Sequence, residues 1–214
     1  NSPKAVYQIA SDALKLLRAY STPDWSAELR RYLAARKSLS VRYARERFGV
    51  RVPLRIAPDR TVRLSPGKHS RLVRAVVEEF APCFVPGGEL IYVGDTGRKW
   101  AYFDEPLLSA LGVSLQPHGK MPDLVLHDRK RRWLLLVECV TSHGPMDAKR
   151  HAELATLFSS SAAGLVYVTA FPDRATLTRH IARIAWETEV WVADAPTHLI
   201  HFNGERFLGP HAPR

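Results

Sequence analysis

Two cysteines in 214 residues are too few for a disulfide framework. Cys83 and Cys139 read as buried thiols of an intracellular, cytoplasmic protein. No apolar run approaches the roughly 18 residues that cross a membrane, and no membrane partner is expected. No signal peptide is visible, although the chain begins at Asn1 rather than Met, which leaves room for a segment upstream. No glycine-rich loop runs into Lys-Ser or Lys-Thr, so nothing points to a nucleotide-phosphate loop. No Ser-His-Asp signature has supporting context. His198 and His201 lack the Cys/His partners of a zinc site, so strand or core positions suit them better.

Acidic residues are scarce where basic ones are dense. Residues 1–75 carry 17 Lys/Arg against 5 Asp/Glu, and the remainder 14 against 16, so the net charge of +10 arises wholly in the first third. Such asymmetry suits a polyanion such as double-stranded DNA at that end. The plainer alternative is a solvated basic helix face.

Residues 4–20 repeat apolar side chains at helical spacing (Val6, Ile9, Ala13, Leu16, Leu17), and residues 24–47 read as one or two further helices closed by Gly49. Residues 51–64 alternate weakly around Pro58-Asp59-Arg60, which predicts a basic hairpin. Helices followed by a basic hairpin resemble the remains of a winged helix-turn-helix. Ser65-Pro66 predicts a helix start, with the helix running to about Phe80. Beyond it, strands are expected at Glu89–Val93, 123–128, 132–141, Leu165–Thr169 and 189–193, with a last one at His198–Phe202. Helices at 104–111, 144–159 and 174–186 interleave with them. The fold class is therefore α/β, a mixed sheet flanked by helices. The signals become firmer from Ser65, so the expected division is between residues 1–64 and 65–214.

The most informative stretch is Met121-Pro122-Asp123, a basic turn at Arg129–Arg132, and Trp133-Leu-Leu-Leu-Val-Glu138. If Lys130-Arg131 is the tip, facing residues have numbers that sum to 261, and Asp123 lies opposite Glu138. Facing residues share one side of the sheet with Cβ atoms about 5 Å apart. Two like charges there repel, and a carboxylate among Leu136, Val137, Cys139 and Val140 is costly to bury. A hard divalent cation such as Mg²⁺ relieves both problems, since it takes one or two carboxylates plus water. The alternative is a strand-opening Asp123 and a Glu138 paired with some other basic residue.

Pro122-Asp123 followed by Glu138 is the pattern of the PD-(D/E)XK nuclease superfamily, with one departure: the lysine expected two residues after Glu138 is Val140. Lys149 and Lys120 are the candidate replacements. Further blocks narrow the match: Tyr92–Trp100, Lys120–Asp123, Glu138–Pro145, Val168–Arg174, Ala185–Trp191 and His201–Gly209. Together they resemble the BsuBI/PstI family of type II restriction endonucleases. The resemblance is close over about residues 65–210, and residues 1–64 resemble the tail of that family's helical DNA-binding region, so the chain reads as a fragment.

The resemblance implies Mg²⁺-dependent double-strand cleavage at a palindrome, CTGCAG cut to leave 3′ overhangs. It also implies a homodimer and a cognate DNA methyltransferase. Asp123 and Glu138 are the expected metal ligands and catalytic carboxylates. Glu78 or Glu79 at a helix end and Asp95 at a strand end are further metal candidates; the alternatives are a solvated helix face for the glutamates and a turn-stabilising role for Asp95. His143 and Ser142 follow the Glu138 strand, where His143 would either contact the scissile phosphate or serve as a cap. Lys99, Ser142 and Arg150 are candidate DNA contacts. A catalytically inactive DNA-binding protein with the same fold is the competing expectation, and Val140 is its best support.

Overall fold

The computed structural model describes residues 9–34, 51–114, 120–142 and 144–202. The chain forms two compact units, Asn1–Gly49 and Val50–Arg214. The division falls before the basic hairpin rather than after Leu64, for a reason visible in the core below.

In the first unit, α1 (Ser11–Arg18) and α2 (Trp25–Ala34) flank a turn whose Ser21 has a φ of 64°. Tyr20 and Trp25 meet edge-on across it, with ring centroids 5.1 Å apart. The prediction of further helix toward residue 47 lies outside the described residues.

The second unit begins with the predicted hairpin, β1 (Val52–Ala57) and β2 (Arg60–Leu64). Val52 and Leu54 are buried while Pro53 and Arg55 are exposed, the alternation of a half-buried strand. These residues and Leu64 pack with Leu72, Val73 and Val76 of the following helical segment and with the large sheet. That shared core is why the hairpin belongs to this unit.

Helix α3 (Lys68–Ala75) starts later than Ser65-Pro66 predicts. Gly67 occupies the position before it, with a φ of 144° that only glycine adopts readily. Ser65 is drawn away instead: its N–H and hydroxyl both donate to Asp95, at 2.7 and 2.9 Å. A π-helical turn (Val76–Phe80) and α4 (Ala81–Phe84) extend α3. Cys83 is exposed on this last turn, against expectation, whereas Cys139 is buried.

The sheet has seven strands in the order β4-β3-β5-β6-β7-β8-β9. They are β3 (Glu89–Asp95), β4 (Arg98–Phe103), β5 (Leu124–Asp128), β6 (Trp133–Cys139), β7 (Gly164–Phe171), β8 (Glu189–Val192) and β9 (Leu199–His201). Strands β6, β7 and β8 run parallel, and the other neighbours are antiparallel. A parallel connection needs a crossover. Helices α6 (Ala148–Leu157) and α7 (Arg174–His180) supply the two required here, while α5 (Glu105–Ala110) follows β4. Strand β4 is absent from the sequence reading. Its first half is exposed at the sheet edge, so Arg98-Lys99-Trp100 shows no alternation.

Two apolar layers sandwich the sheet. Leu124, Leu126, Leu135 and Val137 face the α3 side, and Val125, Leu134 and Leu136 face the layer holding Leu154 and Phe158. Asp123 and Glu138 continue the parity of the second set.

Candidate active site

The β5–β6 ladder has the predicted register. Leu124 faces Val137, Val125 faces Leu136, and the pairing continues to Asp128 opposite Trp133. One step beyond Leu124 and Val137 are Asp123 and Glu138. The turn holds this register locally: Arg131 N–H donates to Asp128 Oδ1 at 3.1 Å, and its guanidinium contacts Oδ2 at 2.6 Å.

Both carboxylates line a cleft of about 630 Å³ where the strands end. Asp123 Oδ2 accepts from Cys139 N–H at 2.8 Å, which ties the start of β5 to the end of β6. His69 Nε2, from the first turn of α3, lies 3.4 Å from Asp123 Oδ1. That hydrogen bond holds the imidazole above its ordinary pKa, against the opposing effect of its burial.

Glu138 is paired with Arg150, whose Nε and a terminal nitrogen each sit 2.7 Å from Oε1. The same guanidinium donates to the carbonyls of Lys120 (3.0 Å) and Met121 (2.9 Å). One side chain therefore fixes Glu138 against the segment that leads into Asp123. Burial pushes Glu138 up to about 7, the negative charge of Asp123 adds to this, and Arg150 and Lys120 oppose it.

The raised Glu138 pKa has a stability consequence. Between about 4.5 and 7 the unfolded chain ionises this group while the folded chain holds its proton. Stability without a divalent cation is therefore full below about 4.5 and falls as pH rises to about 7. The loss is roughly 3 kcal/mol. Chemical denaturation at pH 5 and pH 8 is expected to show a loss larger by about that amount in the wild type than in Glu138→Gln, where only the raised His69 still contributes. An identical difference in both proteins would remove Glu138 as its source.

The other expected site residues divide. Lys120, Lys149 and Ser142 line the cleft with the carboxylates. Lys149 is 85% exposed, 3.9 Å from Glu153. Val140 is buried against Phe171, Leu177 and Ile184, so its position faces core rather than cleft. His143 lies outside the described residues.

Glu79 is not a cleft residue: it is exposed on the π-helical turn. Asp95 is likewise corrected, because its side chain is consumed by Ser65 and by Arg98 at 3.5 Å. Asp95→Ala is expected to cost about 1–3 kcal/mol of stability by orphaning those donors. Single-turnover rates per folded molecule should stay at the wild-type value; a lost rate with unchanged stability would restore Asp95 to the site. Lys99 sits over the Trp100 ring at 5.0 Å, away from the cleft. No group of three or more His, Cys, Asp or Glu gathers among the described residues.

Sequence reasoning missed His69 altogether and did not foresee the pairing of Arg150 with Glu138. No spacing signals His69, since α3 meets Asp123 only in three dimensions. Arg150 was within reach: the helix after β6 begins beside the strand end, and Asp147 caps it by accepting from Arg150 N–H at 2.9 Å. Its first turn therefore lies over Glu138.

A mixed α/β sheet with an acidic pair at the end of its central hairpin defines a restriction-endonuclease-like fold of the PD-(D/E)XK class. The structure of the SdaI restriction endonuclease superimposes with a TM-score of 0.73 at 40% identity, covering 96% of this chain and 65% of that one. Residues 52–205 match the BsuBI/PstI restriction endonuclease domain, and residues 1–41 match that family's HTH domain. The chain belongs to the BsuBI/PstI restriction endonuclease family, whose members are type II site-specific deoxyribonucleases. It is 59% identical to the type II restriction enzyme BsuBI of Bacillus subtilis over 211 residues, 99% of this chain and 67% of that protein. It is 30% identical to the type II restriction enzyme AplI of Arthrospira platensis, over 97% of this chain and 66% of that protein. The chain thus spans about two thirds of the length of the relatives it matches. No helix among the described residues is long and apolar enough to cross a membrane.

Proposed function

We propose that the protein cuts both strands of DNA at a short palindrome, CTGCAG, leaving 3′ overhangs, with Mg²⁺ held by Asp123 and Glu138. The observation that carries this reading is the shared cleft of the two carboxylates, one of them pushed up to about 7 by burial and by the other's charge. That electrostatic conflict fits a cation: an oxygen-only pair open to solvent suits a hard divalent ion completed by water. When bound, such an ion activates water and neutralises charge on a phosphate oxygen.

The chain's own groups do the rest. Cys139 N–H and His69 orient Asp123. Arg150 orients Glu138 and lowers the cost of its ionised form. Lys120 and Lys149 bring positive charge to the cleft, where it favours the scissile phosphate and the charge that develops during in-line attack. Attack by water leaves a 5′-phosphate and a 3′-hydroxyl. A palindrome is matched by a twofold homodimer. A cognate methyltransferase protects the host's own sites, and the enzyme meets incoming DNA in the cytoplasm.

The direct test is the whole protein with a sequenced plasmid and Mg²⁺. Fixed fragments ending at CTGCAG support the reading. Intact plasmid with folded, DNA-binding protein would contradict it and favour the second reading, a DNA-binding protein with an inactive nuclease fold. The burial of Val140 at the usual lysine position favours that alternative. Lys120→Ala and Lys149→Ala, made separately, discriminate further: a live enzyme is expected to lose about 100-fold in single-turnover rate with one of them.

A further inference from the structure

Beside the carboxylate cleft lies a second hollow, of about 380 Å³. Lys68 and Arg71 of α3 and Arg179 of α7 line it. Lys68 and Arg71 are three residues apart on one helix and share a face. Thr141, two residues past β6, lines both hollows. Lys68 also immediately precedes His69, the residue that touches Asp123. The two hollows are neighbours at the same end of the sheet.

The charge there is unbalanced. None of Lys68, Arg71 and Arg179 lies in an ion pair with a carboxylate among the described residues, and Arg179 donates to Thr176 Oγ1 at 3.0 Å. The acid lining the hollow, Asp173, caps α7 by accepting from Thr176 N–H at 2.7 Å. That bond, ahead of the positive charges of Arg179 and Lys68, holds Asp173 below the usual carboxylate range. Three cations against the single carboxylate of Asp173 leave the concavity with net positive charge, which an entering anion offsets.

We propose that this hollow receives a backbone phosphate of the bound DNA, close to the phosphate presented to Asp123 and Glu138. The inference rests on the DNA-cleavage reading and deepens it: Lys68, Arg71 and Arg179 set where the duplex backbone lies relative to the carboxylates. They are binding residues, with no role in the chemical step. A phosphate contact carries no sequence information, so its loss weakens specific and non-specific binding alike.

The test uses the whole protein with all three residues changed to Gln (K68Q, R71Q and R179Q together). Binding to a CTGCAG duplex and to an unrelated duplex is followed by fluorescence anisotropy from 50 to 200 mM salt. In the twofold dimer each protomer loses one phosphate contact, so the slope of log affinity against log salt is expected to fall by about 1.8. At low salt, affinity for both duplexes falls about tenfold or more. A control with the same charge change, R129Q, K130Q and R132Q in the turn at the opposite end of β5 and β6, keeps the wild-type slope. If the triple variant fails to fold, Arg71→Gln alone is read the same way, with part of the loss expected. Wild-type slope and affinity in a folded variant would overturn the assignment and leave the nuclease reading intact. A wild type that binds neither duplex would overturn both.

Discussion

Asp123→Asn and Glu138→Gln are each expected to lower single-turnover DNA cleavage by about 10³-fold or more, with DNA binding retained. A thousandfold loss corresponds to roughly 4 kcal/mol of transition-state stabilisation, a reasonable cost for removing one of two anionic ligands to a catalytic cation. The substitutions are gentle structurally. An Asn oxygen still accepts from Cys139 N–H, and a Gln oxygen still accepts from Arg150. Glu138→Gln also removes the penalty of an ionised buried carboxylate, so the cation-free variant is expected to be more stable than wild type at pH 8. A protein at once more stable and inactive would separate the catalytic role from a structural one. Cleavage within tenfold of wild type by either variant would remove that carboxylate from the site.

Arg150→Met is expected to cut cleavage by about 100-fold at neutral pH and to shift the acid limb of the pH–rate profile upward. Arg150 is the strongest opposing influence on the raised pKa of Glu138. Without it, Glu138 ionises at still higher pH and binds a cation less well. The change also releases the carbonyls of Lys120 and Met121 and so loosens the approach to Asp123. Raising the pH or the Mg²⁺ concentration should restore part of the rate. Arg150→Lys restores less than its charge implies, because an ammonium cannot reproduce the planar fork that serves Glu138 and two carbonyls together. A pH profile identical to wild type would show that Arg150 acts on something other than Glu138.

Much of this site is legible in the chain because a hairpin is a local object. The register of β5 and β6 follows from a short turn, so counting from Arg129–Arg132 places Asp123 opposite Glu138 without any knowledge of the fold. Contacts between elements distant in sequence leave no such trace. His69 reaches Asp123 from α3, 54 residues earlier in the chain. Ser65 looks like a helix cap but binds Asp95, 30 residues away, and that contact shifts the helix start and occupies a supposed metal ligand. Strand β4 is hidden because an edge strand need not alternate. Arg150 stands between these cases: its helix was expected, but the pairing of its side chain with Glu138 depends on burial. The missing lysine follows the same logic, since Val140 turns into the core layer beyond the end of β6.

Calorimetric titration with Mn²⁺ in place of Mg²⁺ checks whether two carboxylates fifteen residues apart, Asp123 and Glu138, form one cation site. The wild-type protein is expected to bind the ion at a site lost in both Asp123→Asn and Glu138→Gln, with affinity rising as pH increases through about 7. Binding that survives both substitutions unchanged, or that shows no dependence on pH across that range, would contradict it.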